Sequence, residues 1–306
     1  KAYRPKGLAP YDYTNINYSK LLWIAEGSTS YFEDHLLVRS GIQTNDEFFK
    51  VLSKTINRHL TTPGREVQSA SETSFDKWIN QGGDHARNYS TNIYLEGSLL
   101  SMALDIDLLE NSQGKISYRD VHKALYKQHK LPAGFTEQDV LAILKQLSGR
   151  DYSAWWQANV SSPANLDFDA LLAKVGLSLE LPEKAKATPS LDAFTKNTGE
   201  LLTLTHVRRD GAAWQGGLTT DDKLVAINKK HVGKDLTASL ETFKAGDKVT
   251  ADFIRRDALM STELVLSEDF DKPKKVVANK NATDEQKALF KAWMGVAHPN
   301  DVKKDD

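Results

Sequence analysis

The chain reads Leu-Trp-Ile-Ala-Glu-Gly-Ser-Thr-Ser-Tyr-Phe from residue 22 to residue 32, and this stretch decides how its first half is interpreted. Apolar and aromatic residues recur at steps of three and four between Tyr18 and Ser40, a spacing that predicts a helix. Glu26 stands among these apolar neighbours. Burying a carboxylate there is costly unless a metal ion or a strong hydrogen-bond donor compensates for the lost water.

Glu26 could complete a zinc site only together with other ligands. A carboxylate of this kind can join two histidines that a helix presents in a His-Glu-x-x-His motif. No such motif occurs in the 306 residues, and the 8 histidines are scattered. Taken alone, a Glu-Gly pair on a helix is also typical of a solvent-exposed carboxylate near a helix end.

Composition limits the class of protein. The chain is 40% hydrophobic and 26% charged, which is ordinary for a globular protein. Its net charge of −1 favours neither nucleic acid nor an anionic membrane, so no nucleic-acid partner is expected. The absence of cysteine excludes disulfides and thiolate metal sites. No apolar run approaches the roughly 20 residues that span a bilayer.

The first ten residues have no apolar core, so they are not interpreted as a signal peptide. The compartment therefore stays open between the cytoplasm and the periplasm.

The chain up to about Leu179 is predicted to be helical. Asn45 is expected to cap one helix, and the stretch from Asn88 to Leu109 is so apolar that it predicts a helix buried in a bundle. Further helix starts are indicated by the Ser/Thr-x-x-acid signature at Ser117 and at Thr136.

The pattern changes after a charged linker at residues 181–190. Strand-like runs separated by turn signals follow, at Leu201–Val207, Lys223–Ile227, Lys248–Ile254 and Thr262–Leu266. Residues 272–280 are expected to form a solvated basic spacer. A final helix is predicted from Asp284 to Met294, with Thr283 as its cap.

Tyr94 is a second candidate site residue, because it lies near the start of the most apolar helix. A phenol in a first turn can donate a hydrogen bond to an oxyanion that forms on a metal-activated carbonyl. Without Glu26, a tyrosine that simply packs in the core would be the better interpretation.

Several segments, in this order along the chain, resemble the M61 glycyl aminopeptidase family. They are Arg4-Pro5, Pro10-Tyr11-Asp12-Tyr13, the stretch from Leu22 to Phe32, and Asn92-Ile93-Tyr94-Leu95-Glu96-Gly97 with Leu104-Asp105 after it. The resemblance implies that Glu26 is the glutamate zinc ligand and that Tyr94 stabilises the tetrahedral intermediate. Thr29 matches a threonine that supports the ligand, and Glu96 replaces the family's usual lysine.

The resemblance implies an α+β multidomain protein. Residues 1–180 would be the helical C-terminal half of a thermolysin-like catalytic domain, 181–190 a linker, 191–268 a PDZ-like β domain, and 269–306 a C-terminal extension with a helix. The implied activity is zinc-dependent release of N-terminal glycine or alanine from a peptide substrate.

The two histidines and the general-base glutamate would then belong to a missing N-terminal part of the same protein. The 306-residue chain alone is therefore expected to be inactive. The alternative is a non-catalytic, PDZ-containing scaffold or peptide-binding protein.

The β unit resembles the bacterial PDZ pattern from Val207 to Asn228. PDZ domains add an extended peptide to a sheet edge and hold its terminal carboxylate with backbone amides. Here the carboxylate loop would comprise Leu191, Asp192, Ala193 and Phe194. This loop lacks glycine, and Asp192 would repel a carboxylate. A β unit that serves only as a docking module, without binding a peptide, is therefore an equally open interpretation.

Overall fold

The structure is a computed structural model that describes residues 2–79, 83–181, 188–268 and 273–302. Its α-helices, in chain order, are α1 Ser28–Arg39, α2 Asn45–Leu60, α3 Ala70–Phe75, α4 Gly83–Tyr89, α5 Ile93–Asn111, α6 Tyr118–His129, α7 Glu137–Ser148, α8 Ser153–Asn159, α9 Phe168–Ala173, α10 Ala212–Gln215, α11 Leu236–Leu240 and α12 Asp284–Met294. A π-helical turn, Trp23–Gly27, leads directly into α1.

The strands of the described residues are short and lie mainly in the second half of the chain. They are β1 Leu177–Glu180, β2 Pro189–Ser190, β3 Ala193–Thr198, β4 Leu201–Val207, β5 Lys223–Ile227, β6 Lys230–His231, β7 Lys248–Arg255, β8 Ala258–Val265, β9 Ser267–Glu268 and β10 Lys275–Ala278. Mixed helix and sheet confirm the α+β class.

The described residues form two compact units. The first contains residues 2–79, 89–181 and 273–302, and the second contains residues 83–88 and 188–268. The C-terminal helix therefore belongs to the first unit, although the β-rich segment precedes it in the chain. Residues 182–187 of the predicted linker and residues 269–272 lie outside the described part.

Helix α5 is the centre of the first unit. Most side chains along it are buried, and it contacts the π-helical turn together with α1, α2, α3, α6 and α12. A helix that is apolar on most sides can be accommodated only inside such a bundle, so the expectation of a buried helix is confirmed. None of the described helices is long and apolar enough to cross a membrane.

Reciprocal capping hydrogen bonds start five of these helices. The pairs are Thr44–Glu47, Ser69–Glu72, Ser117–Asp120, Thr136–Asp139 and Thr283–Gln286. The predicted caps at Ser117, Thr136 and Thr283 are confirmed. The predicted cap at Asn45 is wrong by one residue, because Thr44 has a glutamate three residues later and Asn45 does not.

The predicted basic spacer is partly a strand. Residues Lys275–Ala278 form β10, which pairs antiparallel with β1. Val276 is buried in the helical core, and its backbone N–H donates to Ser53 Oγ at 2.8 Å. The prediction that residues 272–280 are solvated was wrong for this strand. Between the lysines lies a Val-Val pair that packs against α2. Leu177–Glu180, predicted to be helical, is the strand that pairs with it.

The second unit contains an antiparallel sheet with the order β3-β4-β5-β7-β8, in which β6 also pairs with β5. Strands β4 and β5 begin and end where the sequence predicted them. Its own core includes Leu204, Leu224 and Phe253. Asn88, at the end of α4, bonds Val207 O at 2.8 Å and the N–H of Arg209 at 2.9 Å, which ties α4 to this unit.

Candidate active site

Glu26 lies in a π-helical turn and not in regular α-helix. The turn Trp23–Gly27 continues into α1 without a break, and Trp23 is buried with its backbone N–H bonded to Ser74 Oγ at 3.0 Å. A π-turn inserts one extra residue into a helix, changes the direction of the side chains around it, and is frequent at functional sites. A 3.6-residue periodicity in the sequence does not distinguish this π-helical turn from regular α-helix.

Two glycines bring the turn of Glu26 against the first turns of α5. A Cβ added to Gly27 would lie 2.3 Å from the Cα of Gly97 and 2.9 Å from the carbonyl oxygen of Ile93. A Cβ on Gly97 would lie 2.6 Å from the carbonyl oxygen of Trp23. Since no other residue fits at either position, these glycines set how closely the two backbones approach.

Tyr94 is held by the cap of its helix. The side chain of Asn92 accepts hydrogen bonds from the N–H groups of Tyr94 and Leu95, at 2.9 and 3.3 Å. The side chain is 43% exposed, and Lys77 Nζ lies 5.7 Å from the ring centre. Within the described part of the chain the phenolic hydroxyl has no hydrogen-bond partner, so it can donate to a ligand.

Glu96 is a buried anchor behind Tyr94. Its carboxylate accepts hydrogen bonds from His59 Nδ1 and from Thr91 Oγ1, both at 2.8 Å. Thr91 precedes the cap residue Asn92, and His59 lies in the last turn of α2. The carboxylate of Glu96 therefore connects three segments at the start of α5. The sequence alone left the role of Glu96 in doubt. In the sequence, His59 was only one of several scattered histidines.

Thr29 interacts with main chain. Its hydroxyl lies 2.7 Å from the carbonyl oxygen of Glu26 and 3.2 Å from that of Ala25, to which it donates. This contact stabilises the helical backbone around Glu26. The expected support of the ligand by Thr29 stays a prediction.

The described residues do not form a zinc site by themselves. No group of three or more histidine, aspartate or glutamate side chains in residues 2–79, 83–181, 188–268 and 273–302 could hold a metal ion. Structural and catalytic zinc ions take three or four protein ligands, so Glu26 alone does not fit a zinc ion. Any ion bound at Glu26 needs ligands that these residues do not supply.

A hydrogen-bonded network fixes α1 behind the site. Tyr31 donates to the buried carboxylate of Asp105, and Trp293 Nε1 donates to the hydroxyl of Tyr31 at 2.8 Å. Burial raises the pKa of Asp105, although the bonds from Tyr31 and from the N–H of Tyr118 oppose that shift. This network attaches α12 to the helix that follows Glu26.

His35 belongs to the same network. Its Nε2 lies 2.6 Å from the carbonyl oxygen of Trp293, and burial lowers the pKa of His35 to about 4. The imidazole is therefore neutral at physiological pH, which suits a histidine that packs in the core.

A cavity of about 360 Å³ opens beside Tyr94. It is lined by residues of α1, α2 and the first half of α5, namely Ser30, Tyr31, Asp34, Phe48, Val51, Leu52, Thr55, Arg58, Asn92, Tyr94, Leu95, Ser98, Leu99 and Met102. No sequence motif indicated it, because its walls come from helices that are far apart in the chain.

The proposed carboxylate loop of the second unit is largely occupied by internal contacts. Leu191 is buried in the core, and Asp192 accepts hydrogen bonds from the N–H of Ala212 at 3.1 Å and from the hydroxyl of Ser267. Ala193 begins β3, and the ring of Phe194 lies 4.4 Å from the guanidinium of Arg87. Binding of a peptide here stays a prediction.

Comparison with known proteins finds a similar family. Residues 1–100 match the family model of the M61 glycyl aminopeptidases. Those residues carry both Glu26 and Tyr94. The match supports an M61 family assignment through these 100 residues. No curated protein sequence matched the chain.

One solved structure is similar over nearly the whole chain. It is the crystal structure of an aminopeptidase N family protein from Idiomarina loihiensis, 28% identical, with a TM-score of 0.86. The similarity covers 96% of this chain and 52% of that one, so the chain spans about half the length of its structural relative.

A second similarity is confined to a small part of the chain. An HtrA-type protease, AlgW, bound to a decapeptide is 18% identical over 27% of this chain and 30% of its own, with a TM-score of 0.25. A value so low supports no conclusion about the second unit.

Proposed function

We propose that this chain contributes two site residues to a zinc metallo-aminopeptidase that releases N-terminal glycine or alanine from peptides. Glu26 would be the carboxylate ligand of the metal, and Tyr94 would donate to the oxyanion. The close contact of Gly27 with Gly97 carries the proposal, because it holds the turn of Glu26 against the turn that follows Tyr94. The preference for glycine or alanine rests on the family resemblance.

The residues of the chain suit this role for Tyr94. Its phenol is half-exposed, and its helix start is fixed by Asn92 on one side and by the buried Glu96 on the other. A donor that is positioned before the reaction stabilises the developing negative charge on the carbonyl oxygen without further reorganisation. Thr29 would keep the backbone of Glu26 in place.

Two histidine ligands and a general base remain to be supplied to such a site. We infer a partner segment with a His-Glu-x-x-His motif, which would supply two histidine ligands and the general base. Two facts support this: the motif is absent from the sequence, and Glu26 alone does not fit a zinc ion. The chain alone is therefore proposed to be inactive.

The domain organisation proposed from the sequence accompanies this function. Residues 1–180 would belong to the catalytic domain and residues 269–306 to its extension, while residues 191–268 would form a PDZ-like domain. Because the Oδ2 atom of Asp192 accepts internal hydrogen bonds, we propose that this domain does not capture a peptide C-terminus.

The test compares the complete product of the gene that encodes this chain with two variants. Tyr94→Phe removes only the hydroxyl and should lower kcat for glycyl and alanyl peptides by about 10²- to 10³-fold. Glu26→Gln should reduce both the zinc affinity and the activity. Tyr126→Phe and Glu33→Gln, at exposed positions on other helical surfaces, are the matched controls.

Full activity in both Tyr94→Phe and Glu26→Gln would refute the site assignment. Equilibrium dialysis of zinc against the 306-residue chain gives an independent check, with no stoichiometric binding expected. A gene product without peptidase activity and without zinc binding would favour the scaffold alternative.

A further inference from the structure

The cavity beside Tyr94 has a defined direction. The bond from His59 to Glu96 holds the end of α2 against the start of α5, so Arg58 lies at the end of the cavity that is near Tyr94. Tyr94 and Met102 are eight residues apart on α5, or about 12 Å along the helix axis. The cavity therefore extends from the candidate site into the helical bundle.

The inner walls of the cavity are apolar. Phe48, Leu52, Leu99 and Met102 line it and are buried, with exposures of 1 to 6%. Ligand pockets of about 300–1,000 Å³ are typically lined in this way, and this cavity is at the small end of that range. Its volume is sufficient for one large side chain.

The hydroxyl groups in the lining do not change this character. Ser30, Thr55 and Ser98 each donate to a carbonyl oxygen three or four residues earlier, at 3.2, 3.0 and 2.8 Å. With these hydrogens committed to backbone, the three residues present mainly carbon to the cavity. The polar groups that remain available to an occupant are mainly those of Asp34, Arg58 and Tyr94.

The charges of the lining balance. Among the described residues, Asp34 and Arg58 are the charged side chains of the lining, and neither is fully buried. Because one is negative and the other positive, the lining has no net charge that would select a lysine or a glutamate side chain.

We propose that this cavity is a subsite for a large apolar side chain, such as leucine or phenylalanine, of the peptide substrate. The inference rests on the proposed function, which supplies the peptide. The released glycine or alanine needs no cavity of this size. The side chain therefore belongs to a residue of the peptide other than the one released, and the subsite would select peptides by that residue.

Binding to the 306-residue chain tests the cavity without any hydrolysis. The probes are the N-acetyl amides of glycine, leucine and phenylalanine, titrated while chemical shifts of the protein are followed by NMR. The leucine and phenylalanine probes should bind at least about tenfold more tightly than the glycine probe, since they bury an apolar side chain.

Variants that fill the cavity show whether the probes bind in it. Thr55→Trp and Val51→Phe, both on α2, should each abolish the difference between the probes, provided the variant melts cooperatively. Lys54→Trp, at an exposed position of the same helix, should leave it unchanged. Equal affinity of the wild-type chain for all three probes would overturn the proposal, as would full discrimination in both folded variants.

Hydrolysis separates a failure of this inference from a failure of the proposed function. The complete gene product is assayed with glycyl peptides that carry glycine, leucine or phenylalanine at the second and third positions. We expect kcat/KM to rise about tenfold with the larger residue at one of these positions, and Thr55→Trp to remove that rise. A kcat/KM that is the same for all residues at both positions would refute the subsite alone. A complete lack of hydrolysis would refute the proposed function.

Discussion

Glu96 stands where the resembled family has lysine, and its surroundings give a physical account of the exchange. The carboxylate is buried, and His59 and Thr91 both donate to it at 2.8 Å. A buried acceptor with two donors organises the backbone before Tyr94, whereas a lysine at this position could accept neither bond. Glu96 therefore has buried partners of its own in His59 and Thr91.

Replacing Glu96 with alanine should destabilise the protein. Two buried donors would lose their acceptor, which costs about 1–3 kcal/mol for each unsatisfied group. Urea denaturation should show the lower free energy of unfolding. Glu33→Ala, at an exposed position, serves as the control. An unchanged stability would mean that the pair contributes nothing.

His35 should make the stability depend on pH. In the unfolded chain its pKa is about 6.5, while burial lowers the pKa in the folded state to about 4. Between these pH values only the unfolded state binds the proton, so the free energy of unfolding falls as the pH falls. The loss should reach about 3 kcal/mol by pH 4.

Denaturation of the His35→Gln variant between pH 7 and pH 4 measures this contribution. Glutamine can still donate to Trp293 O but does not titrate, so the variant should show a shallower dependence on pH. His231→Gln, on an exposed strand, should keep the slope of the wild type. Parallel curves for wild type and His35→Gln would contradict the assignment.

At the scale of the elements, the contact of the π-helical turn with α5 is the decisive feature. Sequence patterns predicted both helical segments, and the resemblance pointed to Glu26 and Tyr94. They did not predict the π-turn or the contact of Gly27 with Gly97. Periodicity reports which face of a helix is apolar, but it contains no information on how closely two particular backbones approach.

The substitution Gly97→Ala tests that contact. The new methyl group would meet the carbonyl oxygen of Trp23 and the Cα of Gly27, at 2.6 and 2.7 Å, so the segments must separate. Overpacking of this kind costs about 1–3 kcal/mol, and the proposed peptidase activity of the complete gene product should fall with it. Gly233→Ala is the matched control, since nothing lies within 4 Å of a Cβ there.

At the scale of the molecule, the first unit is completed by the C-terminal segment. Strand β10 pairs with β1, and Phe290, Trp293 and Met294 of α12 are buried in the helical core. The β-rich unit is thus an insertion between two parts of one helical unit.

Trp293→Ala should reveal how strongly the C-terminal helix contributes. The substitution removes a fully buried indole and its bond to Tyr31, which should cost about 3–5 kcal/mol. Thermal unfolding followed by circular dichroism gives the measurement, with Lys291→Ala on the exposed face as the control. A melting temperature equal to that of the wild type would show that α12 is dispensable.

The sequence by itself predicted the longer helices, strands β4 and β5 and most of the caps, and its resemblance to a family indicated the two candidate site residues, but it did not predict helices α3 and α4. The predicted features depend on local periodicity, on capping pairs three residues apart and on short motifs, all of which can be read along the chain. The short strands β1 and β10 were not predicted. A strand is stabilised by its partner, and here the partner lies about a hundred residues away in the chain.

Only the tertiary structure decided the glycine contact, the buried pair of Glu96 with His59, the cavity beside Tyr94 and the return of the C-terminal helix to the first unit. Each of these depends on the distance between segments that are far apart in sequence. Close packing fixes such distances through the shapes of all the side chains together. No single stretch of the chain, including the one around Glu26, could have shown them.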